Sequence, residues 1–247
     1  MKTLLTIDFD FFVPEDPMWD LGHNESPFFM QHIWYVRSQL MDAMKTNGEE
    51  KGFWKKIQDS FKFKTDTVHV SESHLEAFHL THPLGQIINI DRHHDVWEGH
   101  DNMVACDTWG HQAMRLRHVQ EMKWIHPSDG GFEINMAGDY MVVAPEEYQK
   151  RVEPMTMLEA LVQLEGTEID TVHVCRSAAW TPPWLDEAFT EFVAAGPFKE
   201  IEQAGDLPVE PRWSEEDFKK AREHKDFVEK THRDMNEKRQ KRLEAAK

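Results

Sequence analysis

Two short clusters of acidic and imidazole side chains each follow a run of apolar residues in this sequence. The first cluster holds Asp8 and Asp10, and the second holds Asp91, His93 and Asp95. Alternate residues of an extended strand face the same side, so the side chains of each cluster are predicted to converge. Carboxylates held this close repel each other in an apolar setting, and a divalent cation is the usual resolution. Mixed oxygen and nitrogen ligands favour Mn, Fe, Co or Zn over Ca or Mg.

An alternative for either cluster alone is a loop closed by ion pairs, in which Arg92 neutralises the aspartates. The occurrence of both clusters in one chain favours the metal site over that alternative. The pattern therefore predicts a metal-dependent hydrolase whose site is built from the acids and the histidine of the two clusters.

The elements that must position these residues alternate along the chain. Apolar runs predict strands over residues 3–12, 67–70, 86–90 and 170–175, and a further strand within 133–143. Helical spacing and capping signals predict helices over residues 27–44, 53–61, 75–80, 108–121, 155–164 and 185–194. This alternation predicts an α/β fold, a three-layer α/β/α arrangement with a mostly parallel sheet. Such folds place their sites at the carboxyl ends of the strands, where both clusters lie.

Composition narrows the classes of function. The formal net charge of −17 disfavours nucleic acid and attracts cationic substrates, although an acidic surface also serves solubility alone. The two cysteines lie outside any CxxC motif and cannot form a disulfide framework, which predicts a reducing, cytoplasmic setting. No apolar stretch approaches the roughly 20 residues of a membrane span, so no membrane partner is predicted.

The chain is predicted to divide into a metallohydrolase domain over residues 1–212 and a charged helical tail over residues 213–247. Ser214 is followed by three acids, which is typical of a helix N-cap and first turn. The rest of the tail carries only a thin apolar stripe. This indicates a solvated helix that lies on the domain or projects from it, with a dedicated binding arm as the alternative.

The second cluster resembles a known signature. Asp91-x-His93-x-Asp95 is similar to the Asp-x-His-x-Asp signature of the arginase and ureohydrolase superfamily, and residues 6–10 (TIDFD) are similar to the start of its Ser-x-Asp-x-Asp signature. The order is permuted here, because arginases carry the second signature downstream of the first. The Asp-Pro that follows in the family is Val13-Pro14 in this chain, so that part of the loop is not transferred.

A more specific resemblance is to the arginase-like family that includes the peptide arginases of ribosomal peptide (RiPP) biosynthesis. The similarity is scattered over residues 1–185 and leaves the tail outside. A Glu-x-His segment precedes the Asp-x-His-x-Asp strand in both. The matching segments are residues 7–12 (IDFDFF), 70–78 (VSESHLEAF), 107–110 (DTWG), 175–177 (CRS) and 181–183 (TPP).

The resemblance implies a centre of two Mn²⁺ ions, with Fe, Co or Zn as alternatives. It implies hydrolysis of arginine residues in a peptide to ornithine, with release of urea after a metal-bridging hydroxide attacks the guanidinium carbon. One ion would be held by Asp8, His74, Asp91 and Asp95. The other would be held by Asp8, Asp10, Asp91 and His93, so that Asp8 and Asp91 bridge.

A histidine near the metal centre is expected to shuttle the proton to the leaving amine. His111 is the first candidate for this catalytic role, and His100 and His94 are the alternatives; each is also compatible with packing or with the surface. His69 and His173 lie inside strand-like runs and are interpreted as structural.

Substrate-binding residues are less constrained by the sequence. The carboxylate that grips the guanidinium is predicted among Glu72, Asp139 and Glu98, and Glu72 is equally consistent with orienting a metal ligand. Arg176 and Ser177 are expected at the mouth of the site, although a buried Arg176 paired with a core acid fits as well.

Other functions stay open at this point. One alternative is a small-molecule ureohydrolase for arginine or agmatine, or a deacetylase-like hydrolase of C–N amide bonds. Another is a non-catalytic metal-binding interaction protein with the tail as its contact arm. The predicted partner is a cationic arginine-containing peptide or a small guanidino compound. Six aromatic residues near the predicted site could line a groove for it, although most are expected to be packing residues: Phe11, Phe12, Trp19, Trp97, Trp109 and Trp180. A homo-oligomer is left open.

Overall fold

A seven-stranded sheet in which every pairing is parallel forms the centre of the chain. The computed structural model describes residues 1–14, 27–40, 44–97, 103–128, 150–207 and 209–245. The strands are β1 (Thr3–Asp8), β3 (Thr67–Ser71), β4 (Gln86–Ile90), β5 (Glu121–His126), β6 (Val152–Thr156), β8 (Thr171–Cys175) and β9 (Glu200–Gln203). Two short strands, β2 (Lys62–Phe63) and β7 (Glu168–Ile169), pair with each other.

Helices cover both faces of this sheet, which confirms the predicted α/β class. They are α1 (Pro27–Leu40), α2 (Phe53–Ser60), α3 (Ala77–Leu80), α4 (Trp109–Leu116), α5 (Met157–Gln163), α6 (Asp186–Ala194) and α7 (Glu215–Ala245). Because strand side chains alternate between faces, Leu5 and Ile7 of β1 enter one apolar cluster with α2 and α6. Leu4 enters a second cluster with α3 and α4.

The strand order β6-β5-β4-β1-β8-β3-β9 places β1 in the middle of the sheet, between β4 and β8. From β1 the chain continues to β3 on one side of it and then crosses to β4 on the other side, so the strand order reverses at β1. The carboxyl ends of strands at such a reversal border a crevice. The register keeps these ends level, since Ile7 is opposite Ile90 and Asp8 is opposite Cys175. Side chains that follow β1, β3, β4 and β8 therefore meet at one edge.

Several predicted boundaries are wrong. The first strand ends at Asp8, and residues Phe9–Phe12 form a 3-10 turn because the Asp8 carboxylate accepts a hydrogen bond from the backbone N–H of Asp10. The helix predicted over 108–121 ends at Leu116, and its last predicted residue already begins β5. Of the helix predicted over 27–44, the structure describes Pro27–Leu40, and residues 41–43 lie outside the described residues, as does the strand predicted within 133–143.

The charged tail forms the long helix α7, as predicted. Its first turn is closed by Ser214, whose hydroxyl accepts from the N–H of Asp217 at 3.2 Å. Trp213 and Ala221 are buried with Trp34 of α1 in a small apolar cluster, so the start of the tail packs on the domain. Further along, Phe227 is exposed. Among the described helices, none is both long enough and apolar enough to cross a membrane.

Candidate metal centre

The two predicted clusters meet at the carboxyl ends of β1, β3 and β4. Asp8 is the last residue of β1, and Asp10 lies in the 3-10 turn that follows it. His74 opens a 3-10 turn shortly after β3, and a loop of residues 91–97 follows β4. The six predicted metal ligands follow three strands, the adjacent β4 and β1 and, beyond β8, β3. They are Asp8, Asp10, His74, Asp91, His93 and Asp95.

His74 is surrounded by three buried carboxylates. Its Nδ1 atom lies 2.9 Å from Oδ2 of Asp91, 2.9 Å from Oδ2 of Asp95 and 3.4 Å from Oδ2 of Asp8. Those are the four residues that the family resemblance assigns to one ion. With side-chain exposures of 1 % to 6 %, the group is removed from bulk solvent.

His93 forms the second group. Its Nδ1 atom lies 3.1 Å from Oδ2 of Asp10 and 3.8 Å from Oδ1 of Asp91. In each of the trios Asp8–His74–Asp91 and Asp10–Asp91–His93, one ligand atom per residue lies within 4.8 Å of the others. Asp91 belongs to both trios, so one carboxylate is shared by the two groups.

A loop, rather than the pleat of a strand, brings the residues after β4 together. The Asp91 carboxylate accepts from the backbone N–H of His93 at 2.9 Å, which turns the chain directly after the strand. Asp95 adopts the left-handed region, with φ of 56°. The prediction that Asp91, His93 and Asp95 lie on one face of a continuing strand is therefore wrong, because β4 ends at Ile90. The three residues nevertheless converge.

Asp95 is held in its strained conformation by the start of α4. Trp109 donates its indole N–H to Oδ2 of Asp95 at 2.6 Å, and the N–H of Gly110 donates to the Asp95 carbonyl at 2.9 Å. A Cβ atom on Gly110 would lie 2.8 Å from that carbonyl oxygen, so only glycine allows this approach. The Asp107–Gly110 segment thus positions a ligand carboxylate.

Burial and mutual repulsion shift the ionisation of the clustered side chains. Burial raises the pKa of Asp8 well above its usual value, and the neighbouring Asp10 and Asp91 raise it further. Burial also raises the pKa of Asp95. Burial opposes the ionisation of Asp91, but the hydrogen bond and charge of His74 outweigh it and lower the pKa of Asp91 to about 2. His74 is thereby held protonated, since Asp91 and Asp95 overcome the effect of burial and raise its pKa.

Several buried ligand atoms lack a hydrogen-bond donor or acceptor among the described residues. They include both carboxylate oxygens of Asp10. Buried polar atoms without hydrogen bonds are costly, and a bound ion is a standard reason for them. The donor set, carboxylate oxygens with one imidazole in each trio, fits Mn, Fe, Co or Zn.

A small cleft gives access to the centre. The candidate ligands Asp8, His74, His93 and Asp95 line its floor. Its walls are formed by Trp97, Cys106, Asp107, Ser177 and Trp180. The Trp180 ring lies over His93, with ring centroids 4.8 Å apart, and Ser177 adopts a left-handed φ of 54°. Ser177 was predicted at the mouth and lies there.

Arg176 and Glu72, both predicted near the substrate, pair with each other instead. The Arg176 guanidinium donates to both oxygens of the Glu72 carboxylate and also lies 3.4 Å from Asp186. Both partners are buried, so the Glu72 carboxylate is occupied inside the protein. The ion pair that the sequence allowed for Arg176 is the one observed, and Glu72 is not among the described residues that line the cleft.

The candidate proton shuttles are only partly described. His111 is buried in α4 and is not among the residues that line the cleft. His94 is buried, accepts from the N–H of Val96 at 3.0 Å and packs against the tryptophans around it. His100, like the substrate candidates Glu98 and Asp139, lies outside the described residues.

Sequence reasoning missed the residues that support the ligands. Thr6 and His173 lie behind His74, and Asn89 donates to Oδ2 of Asp91 at 3.4 Å. The available signal was a polar side chain inside an apolar strand at an even spacing from a ligand.

No protein-family model, curated protein or solved structure matches this chain, so its assignment depends on its own residues and geometry.

Proposed function

We propose that this chain is a hydrolase that uses two divalent metal ions, and that its substrate carries a guanidino group. The observation that carries the proposal is the pair of trios that share Asp91, all buried except the partly exposed His93. Asp8 and His74 of one trio and His93 of the other line the same cleft. Asp8, His74, Asp91 and Asp95 would hold one ion, and Asp10, Asp91 and His93 the other. Two ions so placed supply a nucleophilic water of lowered pKa at neutral pH.

The cleft walls favour a flat cationic substrate. Asp107, Trp97 and Trp180 line the cleft together with the candidate ligands. A carboxylate pairs with a guanidinium through two parallel hydrogen bonds, and an aromatic face attracts the same cation. We therefore assign Asp107 the role of gripping the substrate cation, for which the sequence offered only Glu72, Asp139 and Glu98.

Arginine within a peptide, converted to ornithine and urea, is the form of the reaction we favour. The motif resemblance to the peptide arginases supports it, and the net charge of −17 suits a cationic peptide. The protein's own contribution is to orient the guanidinium against Asp107 and to keep the ligand carboxylates desolvated. Removal of bulk water strengthens each of these electrostatic contacts.

The test is a urea assay on Mn²⁺-loaded protein with an arginine-containing peptide, free arginine and agmatine as separate substrates. Urea from the peptide alone supports the proposal, whereas urea from free arginine or agmatine moves the function to a small-molecule ureohydrolase. Cleavage of an acetyl-lysine peptide with no urea from any guanidine would overturn it. Asp10→Asn should abolish turnover, and Asp66→Asn, which alters an exposed acid paired with Lys199, should not.

A further inference from the structure

A chain of buried hydrogen bonds leads from His74 away from the candidate metal centre into the sheet. His74 Nε2 lies 2.8 Å from Oγ1 of Thr6, and that hydroxyl lies 2.9 Å from Nδ1 of His173. His173 Nε2 lies 2.8 Å from Oγ of Ser71, which donates to the backbone oxygen of Ser73 at 2.8 Å. Thr6, His173 and Ser71 are called the imidazole relay below.

The strand register builds the imidazole relay. Thr6 of β1 is directly opposite His173 of β8, and Ser71 of β3 is opposite Cys175, two residues beyond His173. Since neighbouring strands are parallel and in register, Thr6 and His173 share one face of the sheet. The exposed fraction of all three relay residues is 0 %. Their polar atoms must therefore satisfy one another.

The far end of the relay fixes the direction of every hydrogen bond. A carbonyl oxygen only accepts, so Ser71 uses its single hydroxyl proton on Ser73 and can only accept from His173. His173 therefore carries a proton on Nε2. If His173 is neutral, its Nδ1 accepts the hydroxyl proton of Thr6. The Thr6 oxygen then accepts from Nε2–H of His74.

The surroundings of His173 keep its ring neutral. The ring is fully buried, its hydrogen-bond partners are two hydroxyls, and it stacks on His74 with ring centroids 5.9 Å apart. A second proton on His173 would have no carboxylate among these contacts to stabilise it. Burial without a neighbouring counter-charge disfavours the imidazolium form, so His173 is expected to be neutral.

We propose that the imidazole relay is a positioning device that keeps the Nε2 proton on His74 and aims its Nδ1 atom at the metal. The inference rests on the metal centre of the proposed function and deepens it. Supports of this kind fix the tautomer and ring orientation of a metal-binding histidine, and their loss typically lowers metal affinity about 10- to 100-fold. His173, interpreted from the sequence as structural, becomes a positioning residue two hydrogen bonds from the His74 ring.

The tautomer of His173 tests the relay without any metal. Long-range ¹H–¹⁵N correlation spectra of the metal-free protein and of the Zn²⁺-loaded protein should show His173 with its proton on Nε2 and a bare Nδ1. A proton on Nδ1, or on both nitrogens, would overturn the proposal, because the hydrogen bond to Thr6 would then run the other way. Ser71→Ala removes the acceptor at the far end and should abolish the single tautomer.

Metal affinity tests the consequence. In Mn²⁺ titration calorimetry, Thr6→Val should weaken the His74 site about 10- to 100-fold, and Thr6→Ser, which keeps the hydroxyl, should retain wild-type affinity. Thr81→Val is the matched control, since it removes a buried hydroxyl that donates to Phe78 at 2.7 Å outside the relay. If Thr6→Val binds Mn²⁺ as tightly as the wild-type protein does, the proposed role of the relay is wrong, but the proposed metal centre is unaffected. If the wild-type protein does not bind Mn²⁺, the proposed function itself is wrong, whatever tautomer His173 shows.

Discussion

At the scale of single residues, the candidate centre stores unfavourable charge that a metal would relieve. Burial and mutual repulsion raise the pKa values of Asp8 and Asp95, while His74 is the positive charge on which all three surrounding aspartates converge. A divalent ion replaces the His74 proton and neutralises the carboxylates at once. Protons and metal therefore compete for the same atoms.

This competition predicts how stability depends on pH. Asp8, Asp95 and His74 have raised pKa values in the folded state, so their stabilising contribution is present at low pH and is lost as pH rises through those values. Asp91 acts oppositely, but its contribution is lost only as pH falls from its unfolded value toward about 2. Metal-free protein should therefore lose thermal stability as pH rises above the ordinary pKa values of aspartate and then of histidine.

The Mn²⁺-loaded protein should not show this loss, because its ligands are already deprotonated. Thermal scans with Mn²⁺ and with a chelator should give Tm values whose difference widens as pH rises. A difference that is constant or narrows as pH rises would contradict the pKa directions given for Asp8, Asp95 and His74.

The indole of Trp109 gives a second prediction at this scale. Trp109→Phe removes the N–H that donates to Asp95 at 2.6 Å, and Asp95 then loses the donor that holds it toward His74. We expect Mn²⁺ affinity to fall about tenfold or more. Trp54→Phe is the matched control, because its buried indole donates to Phe192 at 2.7 Å in the opposite apolar cluster. Both variants should lose about 1–3 kcal/mol of unfolding free energy, but only Trp109→Phe should lose affinity.

At the scale of elements, sequence pattern was informative where burial dictates composition. Strand β4 was predicted with its observed bounds, since a strand buried on both faces of a parallel sheet is a continuous apolar run. Strand β9 was not predicted, because it is an exposed edge strand with residues Glu200–Gln203 and no apolar face. Strand β5 was missed where the helix prediction ran on to Glu121.

The candidate site shows the same division. Ligand identity was predictable, because acids after buried strands are costly without a purpose. The sequence does not predict the loop that turns at Asp91 or the left-handed conformation of Asp95, because both depend on hydrogen bonds from α4 and from within the loop. The relay was not predictable either. Thr6 and His173 are far apart in sequence and become neighbours only through the register of β1 and β8.

The segment after β8 is fixed by a buried network of charges. Glu72 and Asp186 pair with Arg176, and Asp186 also pairs with Arg212 at 2.6 Å. Arg212 and Trp34 both donate to the carbonyl of Ala178, at 2.9 Å and 2.7 Å. The loop that presents Ser177 and Trp180 to the cleft is therefore tied to α1, to α6 and to the start of the tail.

This network predicts that Glu72 is structural. Glu72→Gln leaves the buried Arg176 without its closest charge partner and should destabilise the protein by about 3 kcal/mol. Measured well below its Tm, the variant should keep Mn²⁺ affinity and KM for the guanidino substrate. Glu153→Gln, which breaks an exposed ion pair with Lys123, should change neither the stability of the protein nor its Mn²⁺ affinity and KM. A raised KM with unchanged stability would instead return Glu72 to the substrate.

At the scale of the whole molecule, the net charge of −17 and the carboxylate-lined cleft act in the same direction. A negative field raises the local concentration of a cationic peptide and speeds its encounter with the cleft. Salt screens this long-range field, with a Debye length of about 10 Å at 0.1 M ionic strength, but screens the desolvated contacts around the metal much less. Encounter and chemistry should therefore respond differently to salt.

We predict that kcat/KM for an arginine-containing peptide falls as ionic strength rises from about 0.01 M to about 1 M, while kcat stays nearly constant. Asp107→Asn should raise KM about tenfold at low salt, because it removes the charge that pairs with the guanidinium beside Trp97 and Trp180. Asp59→Asn removes the same charge from an exposed helix position and serves as the control for net charge alone. If both variants shift KM equally, the field of the whole surface rather than Asp107 selects the cation. If salt lowers kcat instead, the salt ions act on the candidate ligand carboxylates, and long-range attraction of the peptide does not explain the salt dependence.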